Sequence, residues 1–324
     1  MNRGTTIIPI ASGKGGVGKS MLTANLAIGL ARAGHPTVAA DLDLGGANLH
    51  TMLGLPNKFP GIGDFLKGHD GVTLQELLVP TAHANLRFLP GDGRTPFMAN
   101  IPFDQRLTLM KELYRLPARY LLLDLGAGSS FNTLNLFGMA RRAAIVTTFD
   151  TPAIMNFLMF LRNFAFRLVT SLVKPHAPEL IPGLVEAFRK PTGGDPVKVE
   201  DLLEMIGRRD RGLAAKVRRT CAEFEPRIIF NMGDRPEDLH LWPKLQRTMK
   251  ESLSFTGACF GFVAYDDQAR RAVQQKGILL ERWPDSPAAR CIEDLARRIA
   301  DRWEQPALSF SEKRLIEEMK RVAP

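Results

Sequence analysis

The stretch that most constrains this chain is Ser12-Gly13-Lys14-Gly15-Gly16-Val17-Gly18-Lys19-Ser20. The residues before it, Thr6 to Ala11, are apolar and β-prone. Those after it, Met21 to Ala33, carry Ala and Leu at helical spacing and stop at Gly34, a good helix terminator. A GxxxxGK[ST] run between a strand and a helix is a phosphate-binding loop. Its glycines let backbone N–H groups close around phosphate oxygens, and the helix start adds positive dipole. Lys19 can reach β- and γ-phosphates, and the Ser20 hydroxyl can ligate Mg²⁺.

Two further strand ends supply acids. Thr37 to Leu42 is apolar and runs into Asp41-Leu42-Asp43-Leu44-Gly45-Gly46-Ala47-Asn48. Carboxylates at the C-terminal end of a strand beside a phosphate loop lie where a γ-phosphate would sit. Tyr120-Leu121-Leu122-Leu123-Asp124 repeats the pattern with one acid, which suits the Mg²⁺ shell. Leu125-Gly126-Ala127-Gly128 follows, and the Gly128 N–H is a candidate γ-phosphate sensor.

The second loop lysine, Lys14, is more than a phosphate loop needs. KGGVGKS resembles the deviant Walker A motif of the MinD/ParA family of P-loop ATPases, and DLDLGGAN and DLGAG resemble that family's two switch regions. The resemblance implies an α/β fold, a mainly parallel sheet with helices on both faces. It also implies Mg²⁺-dependent ATP hydrolysis in a nucleotide-bridged homodimer. Lys14 would then reach the partner's phosphates, and Asp43 would orient or activate the attacking water, supported by Asp41 and Asn48. On this reading the catalytic candidates are Lys14, Lys19 and Asp43. Nucleotide contacts come from Gly13, Lys14, Gly15, Gly16, Val17, Gly18, Lys19, Ser20, Gly128 and Asn231. The metal candidates are Ser20, Asp43 and Asp124.

Asn231 closes the strand Arg227 to Phe230, where relatives use an Asn on the adenine edge. Asn231-Met232-Gly233-Asp234 lacks the lysine of the guanine-specifying N-K-x-D, which favours ATP over GTP. The family's Pro-Asp pair near the base is Tyr265-Asp266 here. Between the motifs, Gly61 to Leu66 and Thr73 to Leu78 read as short helices, Leu86 to Leu89 as a strand, and Phe103 to Leu116 as a helix. The resemblance covers Ile7 to about Ile299. It divides the chain into a P-loop ATPase domain over 1–305 and a tail over 306–324.

Several segments leave the function open. Ala153 to Val173 is long and apolar, but Arg162 and Arg167 interrupt it, so it reads as an amphipathic helix packed on the sheet. The excursion at about 174–225 reads as helical from Val197 to Phe224 and carries Arg208, Arg209, Arg211, Lys216, Arg218 and Arg219. That is either a solvated face or a docking surface for DNA or anionic lipid. The net charge of +9 is compatible with either. In the tail, Leu315, Ile316, Met319 and Val322 share a face. The expectation is a weak membrane helix, or a helix packed on its own domain or on a partner. Expected partners are thus a second copy, an anionic membrane surface, non-specific DNA and a protein activator of hydrolysis. Cys221, Cys259 and Cys291 are isolated, which argues against a disulfide framework and fits a reducing cytosol. The expected location is cytoplasmic, with the inner face of the cell membrane as a peripheral site. The rivals are a DNA-partitioning ATPase and a metabolic or metal-trafficking ATPase on the same fold.

Overall fold

The computed structural model describes residues 4–68, 71–91, 101–189, 196–307, 310 and 312–320. The apolar runs form eight strands: β1 (Thr6–Ala11), β2 (Thr37–Leu42), β3 (Val79–Pro80), β4 (Leu86–Leu89), β5 (Tyr120–Leu125), β6 (Ala144–Thr147), β7 (Arg227–Gly233) and β8 (Ala258–Ala264). They make one sheet in the order β3-β4-β2-β5-β1-β6-β7-β8. All neighbours are parallel except the two-residue edge strand β3. The central strands β1, β2 and β5 are buried almost throughout, as expected of a sheet covered on both faces.

Right-handed crossovers decide which face each helix covers. Lys19–Arg32 leads from β1 to β2 and packs with Pro287–Arg302 on one face. Their contact is close enough that a Cβ on Gly29 would lie 2.8 Å from the Ala296 Cβ. Phe103–Arg115, Phe131–Phe137 and Thr151–Val173 follow crossovers of the opposite direction and cover the other face. Thr151–Val173 is long and apolar enough, by length and composition, to cross a membrane. Its Phe157, Phe160, Phe164 and Val169 are instead buried in the core, where Phe160 and Phe164 meet Phe137 edge-on.

Thr73 to Leu78 differs from the sequence expectation, and three further segments take one definite form among those the sequence left open. Thr73 to Leu78 is a turn in which the Glu76 carboxylate accepts from the Thr73 N–H, and it leads into β3. The stretch from Val197 to Phe224 is two helices, Val199–Arg209 and Arg211–Glu223. They break at Asp210, whose extended backbone (φ −146°) frees its carboxylate to accept from the Leu213 N–H. The proline-rich stretch before them contains a further helix, Ile181–Arg189. The tail helix, Glu312–Lys320, lies against the 3-10 segment Pro236–Leu241 of its own chain. Leu315 and Ile316 are buried there, and Lys320 pairs with Glu237 at 2.8 Å. Val322 lies outside the described residues.

The approach to that helix is clasped at the opposite end of the sheet from the phosphate loop. Arg227, fully buried at the start of β7, donates to the Trp303 carbonyl at 3.3 Å and to the Gln305 carbonyl, and it stacks on Phe310. Glu225 lies 3.5 Å from it, and also accepts from Arg142 at 2.9 Å and from the Ala307 N–H at 3.1 Å.

Candidate nucleotide site

β1 ends at Ala11, and residues 12–18 turn back over its end before the helix starts at Lys19. Gly16 and Gly18 both have φ +82°, a conformation that L side chains rarely adopt. Gly18 is needed twice over, because a Cβ there would lie 2.3 Å from Asn231 Nδ2. That amide donates to the Val17 carbonyl at 2.8 Å, so β7 braces the loop from the side. Gly13 meets the backbone of Thr151–Val173: a Cβ would lie 2.3 Å from the Asn156 carbonyl oxygen. Gly15 and Gly16 have open space where their Cβ atoms would be, so this part of the loop can approach a ligand closely.

Register sets the acids. Asp41 and Asp124 are direct partners across β2 and β5, and Asp124 also pairs with Ile10 of β1. Lys19 Nζ donates to Asp124 Oδ1 at 2.7 Å, and Thr23 Oγ1 to the same oxygen at 3.2 Å. Lys19 and Asp124 are both buried. Asp124 Oδ2 is buried without a partner among the described residues. Asp41 is fully buried and accepts from the N–H groups of Asp43 at 3.1 Å and Leu49 at 2.9 Å, which fixes the start of the turn between them. Desolvation, together with the Asp124 charge, pushes its carboxyl up to about 8. Half-buried Asp43 is also raised, first by desolvation, with Lys19 opposing and Asp124 reinforcing the shift.

The expected residues therefore converge on one end of β1, β2, β5 and β7. Lys14 is half-buried with no ion-pair partner among the described residues. The Ser20 hydroxyl lies 3.4 Å from Lys19 Nζ. Gly128 takes φ +77°, but its N–H donates to the Ser12 carbonyl at 2.9 Å, so it is tied to the loop and not presented to a ligand. Asn231 holds the loop through its Nδ2.

A cleft of about 630 Å³ runs from the loop to β8 and is lined at its far end by Met232, Tyr265, Arg270 and Val273. Asp266 shapes this end by accepting from the N–H of Gln268 at 2.7 Å and of Ala288 at 3.1 Å, joining two helix starts. Sequence reasoning missed Thr23, a helix residue four positions after Lys19, and Met232, which it treated only as an absent lysine. A signal for Thr23 was available, since i+4 places it on the Lys19 face.

The residues fit a nucleotide and a divalent cation. Asp43 and Asp124 both act electrostatically on Lys19's side of the site, and Asp124 Oδ2 is an unsatisfied buried acceptor. Among the described residues no three His, Cys, Asp or Glu side chains form a ready-made metal cage. Mg²⁺ is commonly held by one or two carboxylates and a hydroxyl together with substrate phosphates.

The fold and this site define a P-loop NTPase of the kind with two loop lysines. The ParA profile, described as NUBPL iron-transfer P-loop NTPase, matches residues 4–89. The chain is 36% identical over 288 residues to the septum site-determining protein MinD of Tupiella akineta, covering 87% of this chain and 81% of that one. It is 25% identical over 319 residues to the antiactivator FleN of Pseudomonas aeruginosa, covering 96% and 93%. Its fold is similar to that of the septum site-determining protein MinD complexed with Mg-ADP from Pyrococcus horikoshii, with a TM-score of 0.57 and 20% identity, covering 93% and 98%. The chain belongs to the MinD/ParA family of P-loop ATPases.

Proposed function

We propose that this protein is a Mg²⁺-dependent ATPase that uses ATP to time its own dimerisation, and that the dimer is a MinD-like spatial regulator of division site or flagellar placement. The observation that carries this reading is Lys14. It is a half-buried loop cation with no ion-pair partner among the described residues, beside a loop whose other lysine is already committed to Asp124. A second copy facing the loop would give Lys14 an anionic partner in the phosphates. ATP would lie along the cleft, with its phosphates on residues 13–20 and its base between Met232 and Tyr265. Asn231 would accept from a base amino group through its Oδ1. Ser20 and Asp124 would hold Mg²⁺, which supplies charge neutralisation on the phosphates. Lys19 would leave Asp124 for the phosphates. Asp43, raised and half-exposed, would orient the attacking water.

The MinD and FleN relatives support the regulatory reading, the second along almost its whole length. An iron-carrying role has little support from the cysteines, since Cys221, Cys259 and Cys291 are all buried. The test is the mass of the protein in solution with ADP and with ATP. We expect a monomer with ADP and a dimer with ATP. Lys14→Ala should abolish the dimer while sparing nucleotide affinity, and Asp43→Ala should accumulate it. A monomer under both conditions overturns the reading.

A further inference from the structure

On the face opposite Lys19–Arg32, two arginines hold the short helix Phe131–Phe137 from either side. Arg106 donates to Asn132 Oδ1 at 3.1 Å, and Arg167 donates to Asn135 Oδ1 at 2.8 Å. Neither has a carboxylate partner among the described residues, and the Arg167 Nε is buried without any hydrogen bond. Arg106 is buried and Arg167 half-buried, so two desolvated guanidiniums held by neutral amides and repelling each other are an unfavourable arrangement for a chain to keep by itself. Each also lies over an aromatic ring: Arg106 over Phe103 at 5.4 Å, and Arg167 over Phe131 at 4.7 Å. Both rings are 65% exposed, and Leu107 beside them is 39% exposed. Exposed aromatics beside arginines are the composition of binding hot spots.

We infer that Arg106, Arg167, Phe103 and Phe131 form a docking surface for an acidic peptide segment of a partner protein, with carboxylates flanking an aromatic or aliphatic side chain. Charge complementarity selects this occupant. Drawn off its amide, a planar guanidinium donates to a carboxylate in a bidentate fork, and the flanking rings take the apolar residue. Phe131–Phe137 follows directly on Asp124 to Gly128, so an occupant that draws the arginines off Asn132 and Asn135 acts next to the nucleotide site.

The test pans a random dodecapeptide phage library on the immobilised full chain without nucleotide, so it does not depend on the ATPase reading. Binders to the Arg106→Gln/Arg167→Gln variant are subtracted. Recovered peptides should carry at least two Asp or Glu beside an aromatic or aliphatic residue. Synthetic copies should lose affinity at least about tenfold against the double arginine variant. They should lose it equally against Phe103→Ser/Phe131→Ser, and altogether when their acids become amides. The serine pair replaces only exposed rings, so it carries the test if the arginine variant unfolds. Recovery of no peptide above subtraction, of peptides without acids, or of peptides indifferent to both variants overturns the proposal. So does a change in the protein's own oligomeric mass in either variant, which would give the face to a second copy of the chain.

Discussion

The Asn231 side chain donates to the Val17 carbonyl at 2.8 Å, joining the end of β7 to the phosphate loop across 214 residues of sequence. The same nitrogen occupies the space that a Gly18 Cβ would enter, at 2.3 Å. The two positions are therefore energetically coupled. Asn231→Ala should cost about 1–3 kcal/mol by leaving the Val17 carbonyl unpaired. Gly18→Ala should cost more, from positive φ and from the clash. In the Asn231→Ala background the 2.3 Å clash is gone and only the Met232 Cε, the end of a flexible side chain, remains at 3.2 Å, so the cost of Gly18→Ala should fall close to the φ strain, about 1–2 kcal/mol. A double-mutant cycle by urea unfolding measures this, and strict additivity would show that the two sites do not touch.

Asp41 predicts a pH dependence. Its carboxyl keeps a proton up to about 8 in the folded chain and loses it near 3.8 when unfolded. Between those values the folded state binds more protons, so stability from this group falls as pH rises. The contribution is full below about 3.8 and lost above about 8, with a slope of up to about 1.4 kcal/mol per pH unit. Asp41→Asn cannot titrate. Urea midpoints of the two proteins, measured without nucleotide or divalent cations, should diverge across this window, with the wild type losing ground as pH rises. Parallel profiles would remove Asp41 as the buried acid.

The Glu225–Arg227 clasp predicts how the tail is retained. Glu225→Ala strips a fully buried arginine of its nearest carboxylate and also releases the Ala307 N–H. A cost of about 3–5 kcal/mol is expected. Trypsin should then cut the tail at Lys313 and Lys320 faster than in the wild type. Leu315→Asp should speed the same cuts with a smaller loss of global stability, because it undocks only Glu312–Lys320. Cleavage at the wild-type rate in both variants would mean that the tail is held by other contacts.

The site was legible in the sequence because its chemistry lies at the ends of uninterrupted apolar runs. Thr6 to Ala11, Thr37 to Leu42 and Tyr120 to Asp124 have the length and β-prone composition of buried parallel strands, and parallel strands bring their C-terminal ends together. The neighbouring elements were less legible. Phe131–Phe137 is only seven residues long and opens with an exposed Phe, so it has no apolar stripe to read. Asp210 breaks a helical pattern by capping the next helix, a role that its type allows but does not require. The apolar face of the tail reads the same for a membrane or a protein surface, and only the position of Pro236–Leu241 decides that Leu315 and Ile316 pack inside. The resemblance implies a role for Asn231 at the base. Its bond to Val17 depends on β7 lying beside the loop, which no local pattern encodes.

The loop's own glycines separate folding from binding. Gly15 has no atom within 4 Å of an added Cβ and a φ outside the left-handed region, so Gly15→Ala should fold with stability within about 0.5 kcal/mol of wild type. Its methyl group would occupy the open side of the loop, where phosphates are expected, so nucleotide affinity should fall at least about tenfold. Gly13→Ala should behave in the opposite order. Its Cβ would sit 2.3 Å from the Asn156 carbonyl oxygen and 2.6 Å from the Phe157 nitrogen, both backbone atoms of a packed helix that cannot swing aside. Overpacking of this kind costs about 1–3 kcal/mol. Thermal unfolding should therefore single out Gly13→Ala, and equilibrium binding of a fluorescent ATP analogue should single out Gly15→Ala. If Gly15→Ala binds the analogue as tightly as the wild type, phosphates do not rest on this side of the loop.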